Sequence, residues 1–129
     1  MNTSLTLAGR VGLSLIFIIS GWGKIAAYAG TRQYMASAGV PGSLLPLVIA
    51  LELGGGLAVL TGAFTRWIAL ALAAFSLASA ALFHANLADA AQAINFWKNV
   101  AMAGGFLMLA AQGAGTLSLD HLWSKRRNA

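Results

Sequence analysis

Residues 44–62 read LLPLVIALELGGGLAVLTG, an unbroken apolar run with a single charge, Glu52. A helix that crosses a bilayer needs about 20 mostly apolar residues, at 1.5 Å of rise each across roughly 30 Å of hydrocarbon. This run has that length and predicts a membrane span. Three more apolar stretches flank it. Residues 5–28 are interrupted only by Arg10 and Lys24, residues 67–83 carry no charge, and residues 96–111 have Lys98 near their start. Together they predict an all-α protein, an integral membrane four-helix bundle with residues 1–129 as a single domain.

Composition points the same way. The chain is 59% hydrophobic and 9% charged, with mean hydropathy +0.77. Soluble domains carry about 25% charged residues, and a single core of this size could not hide so much apolar surface. Lipid is therefore expected to be part of the solvent, and the bilayer a partner. There are no cysteines, which removes disulfides, thiol redox cycling and Fe–S ligation by this chain. The net charge of +5 does not point to nucleic acid. Lys125, Arg126 and Arg127 form a tail that reads as a topology signal at the membrane surface.

Local signals mark the ends of the elements. Ser43 is a candidate cap for the second span, with Pro46 in its first turn and Gly62 at its end. Thr65 and Asn95 are candidate caps for the third and fourth. Residues 31–38 predict a short surface helix capped by Thr31 and stopped by Gly39. From Ser118, the spacing of Leu119, Leu122 and Trp123 predicts a short interfacial helix. Ala27-Tyr28-Ala29 has the form of a signal-peptidase site. Lys24 and Trp22 interrupt the approach to it, however, and little positive charge precedes the apolar run, so the segment reads as a span. Small residues provide close helix contact in lipid, where hydrophobicity cannot drive association. The candidates are Gly54, Ala58 and Gly62, then Ala69, Ala73, Ser76 and Ala80, then Ala101 and Gly105.

Four spans put both termini and the 62–66 turn on one side. That side carries Arg10, Arg66, Lys125, Arg126 and Arg127, and the other carries Lys24, Arg32 and Lys98. The positive-inside rule then predicts cytoplasmic termini. In this orientation the strongly polar residues of the spans gather in the outer half: Lys24, Glu52, His84, Asn95, Lys98 and Asn99. Glu52 lies about 13 Å down its helix, near the bilayer centre. Such a group faces the bundle interior. It is either ionised and paired with Lys24 or Lys98, or a neutral hydrogen-bonded acid, and either state can be structural or functional. Arg10 alone falls in the inner half, where it is expected to snorkel to lipid phosphate. No metal site is expected. His84 and His121 fall at opposite ends, so a haem would need a second subunit. No Ser/His/Asp or paired-carboxylate constellation is present within one leaflet.

Several motifs stand in a characteristic order: Arg10, FIISGWGK at residues 17–24, GVP at 39–41, ELGG at 52–55, Gly62 with Thr65 and Arg66, His84, Lys98-Asn99, Gly104-Gly105 and LSLD at 117–120. In order and spacing the chain resembles the DoxX family of small bacterial membrane proteins. The resemblance implies a multi-pass protein of the bacterial inner membrane. It also implies an accessory or anchoring subunit of a quinone-linked redox system, at most a non-catalytic part of an oxidoreductase. Quinone is the candidate cofactor, and a redox protein or a second copy the candidate partner. Without cysteine, the redox role left to this chain is quinone binding or partner anchoring. Two other readings of the residues remain: a small proton-coupled transporter centred on Glu52, and a structural membrane protein without a ligand.

The charge balance makes the topology testable. A cytoplasm-dependent fluorescent reporter fused after Ala129 is expected to give signal. A dark fusion that is active with a periplasmic enzyme reporter would invert the orientation.

Overall fold

The computed structural model describes residues 2–128. Among them the chain is entirely helical, with no strand. The elements are α1 (Thr3–Ala26), α2 (Tyr28–Ser37), α3 (Gly42–Thr61), α4 (Thr65–Phe83), α5 (Ala90–Gln112) and α6 (Leu119–Arg127). Three helices, α1, α3 and α4, are long and apolar enough to cross a membrane. α5 has comparable length, 23 residues, but Gln92, Asn95, Lys98 and Asn99 interrupt its first half.

Several helix ends differ from the sequence reading. α1 stops at Ala26, where Ala27 leaves helical geometry, and Tyr28 opens α2. Thr31 lies inside α2, its hydroxyl donating to the Ala27 carbonyl at 2.9 Å. Ser43 is not a cap but part of a 3₁₀ turn over Gly42–Leu44 that leads into the α-helical Leu45–Ile49. Pro46 does fall in the first turn of that stretch. α5 begins five residues before Asn95, because Asp89 caps it by accepting from the N–H groups of Ala91 and Gln92. Thr65 does not cap α4 either. The cap position is Phe64, in the left-handed region at φ 50°, and its partner comes from far along the chain. Asp120 accepts the Phe64 N–H at 2.7 Å and the Thr65 N–H at 2.9 Å.

α1 packs along α3, and α4 along α5. One core joins the four helices: Phe17 from α1, Val59 from α3, Ala69, Leu72 and Ala73 from α4, and Ala103, Phe106 and Leu109 from α5. The Phe17 ring meets Phe106 edge-on, with centroids 5.5 Å apart. α1 and α3 cross almost backbone to backbone. A Cβ on Gly21 would sit 2.9 Å from the Leu53 nitrogen. One on Gly56 would sit 2.8 Å from Ile18 Cγ1 and 3.1 Å from the Ile18 nitrogen.

Of the expected Gly54, Ala58, Gly62 stripe, only Gly62 is buried in close contact. Gly54 has open space where a side chain would be. The buried residues are Leu45, Glu52, Gly55, Gly56 and Val59, at i, i+7, i+10, i+11 and i+14. The deep carboxylate itself marks the inward face. In α4 the expected residues do face inward: Ala69, Ala73, Ser76 and Ala80 are all buried.

Arg10 does not snorkel. It is 2% exposed, and its guanidinium donates to four backbone carbonyls. Nε reaches Val59 O at 3.1 Å, and Nη2 reaches Leu60 O at 2.9 Å. Nη1 reaches Ala114 O at 2.8 Å and Leu117 O at 2.7 Å. The last turn of a helix leaves carbonyls without intrahelical donors; Arg10 satisfies Leu60 O and joins the Gly62 N–H on Val59 O, while tying down the turn after α5. Gly62 makes room for this. Its φ of 76° belongs to the left-handed region, and a Cβ there would collide with Ser118.

These contacts predict two stability patterns in detergent. Gly56→Ala should lower the melting temperature, whereas Gly54→Ala should leave it unchanged or raise it, since Ala in an open helical position gains up to ~1 kcal/mol over Gly. Arg10→Ala should cost on the order of 3 kcal/mol by orphaning buried carbonyls. Arg10→Lys should recover less than half of that, because an ammonium lacks the planar fork that spans two segments. Full recovery with lysine would show that charge alone holds this end.

Candidate functional site

At the end of the molecule away from Arg10, the helices enclose a cavity of about 510 Å³. Each helix contributes residues at helical spacing. α1 gives Phe17, Ser20 and Lys24, at i, i+3 and i+7. α3 gives Leu44, Val48 and Glu52, at i, i+4 and i+8. α5 gives Asn95, Lys98, Asn99 and Met102, at i, i+3, i+4 and i+7. α4 ends on the cavity with His84 as its C-terminal cap residue. All six polar residues singled out in the sequence, Lys24, Glu52, His84, Asn95, Lys98 and Asn99, therefore line one space. The reason is antiparallel packing, which brings together the polar ends of helices that run in opposite directions.

The cavity is graded. Moving inward from the loops at 1.5 Å per residue, its walls change from Asn95, Lys98 and His84 to Phe17, Phe75 and Met102. Glu52 is the exception, an acid set among apolar side chains. It is 3% exposed and sits within a π turn over Ala50–Gly54. Such one-turn widenings of an α-helix occur frequently at functional sites. Lys24 Nζ lies 2.8 Å from Glu52 Oε1, with the lysine side chain 30% exposed. Lys24 is thus the partner, of the two lysines considered. The ammonium stands on this oxygen at ion-pair distance, so Lys24 meets the buried charge of the carboxylate. Close to the mouth, the Asn99 side-chain amide donates to Asn95 O at 2.9 Å.

Sequence reading did not assign α2 to this site. Thr31, Tyr34 and Met35, at i, i+3 and i+4, face the cavity, and the Tyr34 ring stacks on Phe83 with centroids 5.4 Å apart. The available signal was that spacing, in a segment too polar overall to read as more than a surface helix. Ser20 and Ser79 also line the space. His121 belongs to the opposite end, in a separate groove. Among the described residues no three histidine or acidic side chains converge as metal ligands would.

The arrangement can hold a molecule with a hydrogen-bonding head and an apolar body. The walls are mostly hydrophobic, with a few convergent polar groups, and the volume falls within the roughly 300–1,000 Å³ of small-molecule sites. The carboxylate and ammonium at its side can take up and give back a proton.

The DoxX family profile matches residues 5–85, which include α1, α3 and α4. Inner membrane protein YqjF of Escherichia coli is 52% identical over 120 residues, covering 93% of this chain and 92% of the relative. Inner membrane protein YphA of the same organism is 41% identical over 123 residues, covering 90% and 88%. CatD of Bacillus subtilis is 38% identical over 61 residues, covering 47% and 46%. No solved structure matches this chain. With all three apolar helices inside the matched region and its near full-length relatives named as inner membrane proteins, this chain belongs to the DoxX family.

Proposed function

We propose that the protein is a four-span inner-membrane subunit with cytoplasmic termini that holds the head of a quinone-type molecule for a redox partner. The observation that carries this reading is Glu52, almost fully buried and ion-paired with Lys24 at the wall of an otherwise apolar cavity. A charged pair buried among membrane-spanning helices is costly and marks a functional site by default. A provisional oxidoreductase name borne by CatD supports the redox setting. α5 completes the bundle as the fourth span, its polar first half turned to the cavity mouth and its second half supplying Ala103, Phe106 and Leu109 to the core.

A bound quinone would supply two-electron, two-proton chemistry. No residue of this chain carries electrons, so they come from the partner. The chain's own part is to bind and to move protons. Lys98 and the Asn99 amide lie at the mouth as donors to a carbonyl oxygen, and Phe17, Phe75 and Met102 flank the apolar body. Glu52 and Lys24 act as the proton-exchanging couple. Lys24 is partly exposed and can exchange with water, while Glu52 faces the dry interior. Accessory membership in a larger complex follows from the same division of labour.

Glu52→Gln separates this reading from a structural one. Lys24 can swing to the mouth when its partner is neutralised. The stability loss should therefore stay well below the ~3–5 kcal/mol expected for breaking a fully buried pair. Quinone co-purifying in mild detergent, read by mass spectrometry, should fall by about tenfold or more, equivalent to ~1.4 kcal/mol of binding. Wild-type quinone content in the variant would sink the proposal. A pH-gradient-driven flux in liposomes that Glu52→Gln abolishes would assign the cavity to a transporter instead.

A further inference from the structure

The opposite end of the molecule holds a second concavity, about 850 Å³, between the start of α4, the turn after α5 and α6. Its cations are Arg66 and Arg127, and among the described residues neither has a carboxylate within ion-pair distance. Its one acid, Asp120, is engaged through both oxygens by the N–H groups of Phe64 and Thr65. Two guanidiniums thus face the groove against a single, already committed carboxylate.

Two further features point to an anion. α4 starts here, and by helix geometry the N–H groups of Arg66 and Trp67 find no carbonyl within their own helix. Together with the helix dipole they favour negative charge. Independently, Thr65 is 1% exposed and its hydroxyl oxygen has no hydrogen-bond partner, although the residue lines the groove. Aromatic rings narrow the choice of ligand. Phe64 and Trp123 pack with centroids 5.2 Å apart, and Trp67 stands largely exposed beside them. Such rings settle at the headgroup level of a membrane. A free anion needs the cations and N–H groups but has no use for the rings, whereas a lipid uses both.

We propose that this groove binds the phosphate of an anionic glycerophospholipid. Arg66 and Arg127 take the phosphate oxygens, the start of α4 and the Thr65 hydroxyl supply neutral donors, and the aromatic rings lie against the glycerol region. The site is separate from the Glu52 cavity and stands whether or not that cavity binds a quinone.

Thermal unfolding of the full chain in neutral detergent tests it, with short-chain phosphatidylglycerol, short-chain phosphatidylcholine or inorganic phosphate added. Phosphatidylglycerol should raise the melting temperature by about 4 °C or more near saturation, and the other two by much less. The double variant Arg66→Gln, Arg127→Gln should lose that shift. The double variant Lys125→Gln, Arg126→Gln removes the same charge from residues outside the groove and should keep it. Thr65→Val, nearly equal in shape, should weaken the shift, and Thr65→Ser should restore it. An equal response to phosphatidylcholine, or to inorganic phosphate alone, would overturn the proposal. So would equal loss in the two charge variants, since that would reduce the effect to attraction by the basic tail.

Discussion

In hydrocarbon a backbone carbonyl that leaves its helix ladder has no water to turn to. The Arg10 guanidinium resolves this for two segments at once. It collects carbonyls from the last turn of α3 and from the turn that follows α5, and so connects three stretches distant in sequence. Asp120 completes the same end by capping α4 from α6, while its own N–H donates to Gly62 O at 2.9 Å. Side-chain to backbone bonds therefore set the relative height of the helices at this end. Their mutual rotation is set further along, by the near-contact of α1 and α3 at Gly21 and Gly56.

This leaves the two ends with different jobs. At the Arg10 end the guanidinium of Arg10 and the carboxylate of Asp120 are matched to backbone groups, which gives rigidity. Around Glu52 the polar groups line a cavity, and apart from the Lys24–Glu52 pair they are not tied to one another across it. Rigidity at one end lets the other keep an open cavity with a buried charged pair, a departure from local rules that functional sites commonly show. The core of Phe17, Val59, Leu72 and Phe106 lies between the two and insulates the cavity from the charged tail.

The apolar runs were legible in the sequence because the bilayer imposes a length on every span. The polar residues of the cavity were legible because alternating helix direction sends them to a common end. What escaped was the identity of partners. Asp120 caps a helix that begins 55 residues earlier, and no local pattern announces it. An arginine near a span end reads as a snorkelling anchor, and only the fold-back of residues 114–117 turns it inward. The glycines of α3 suggested a face by spacing alone, yet the side chain most costly to expose to lipid, Glu52, had already fixed it. α2 escaped because its few apolar residues gave too little signal to predict that it covers a cavity.

A π turn is what an α-helix becomes when it accommodates one residue more than its ladder can hold. Residues 50–54 are such a place in α3. The wider turn absorbs that residue locally, so the segments on either side keep nearly the rotation of an unbroken α-helix. Removing one residue there would let the ladder close while Leu44 and Val48 kept their face. The change would be confined to the turn that carries Glu52. A single-codon deletion in this segment would therefore alter the chamber at its acid and spare the scaffold.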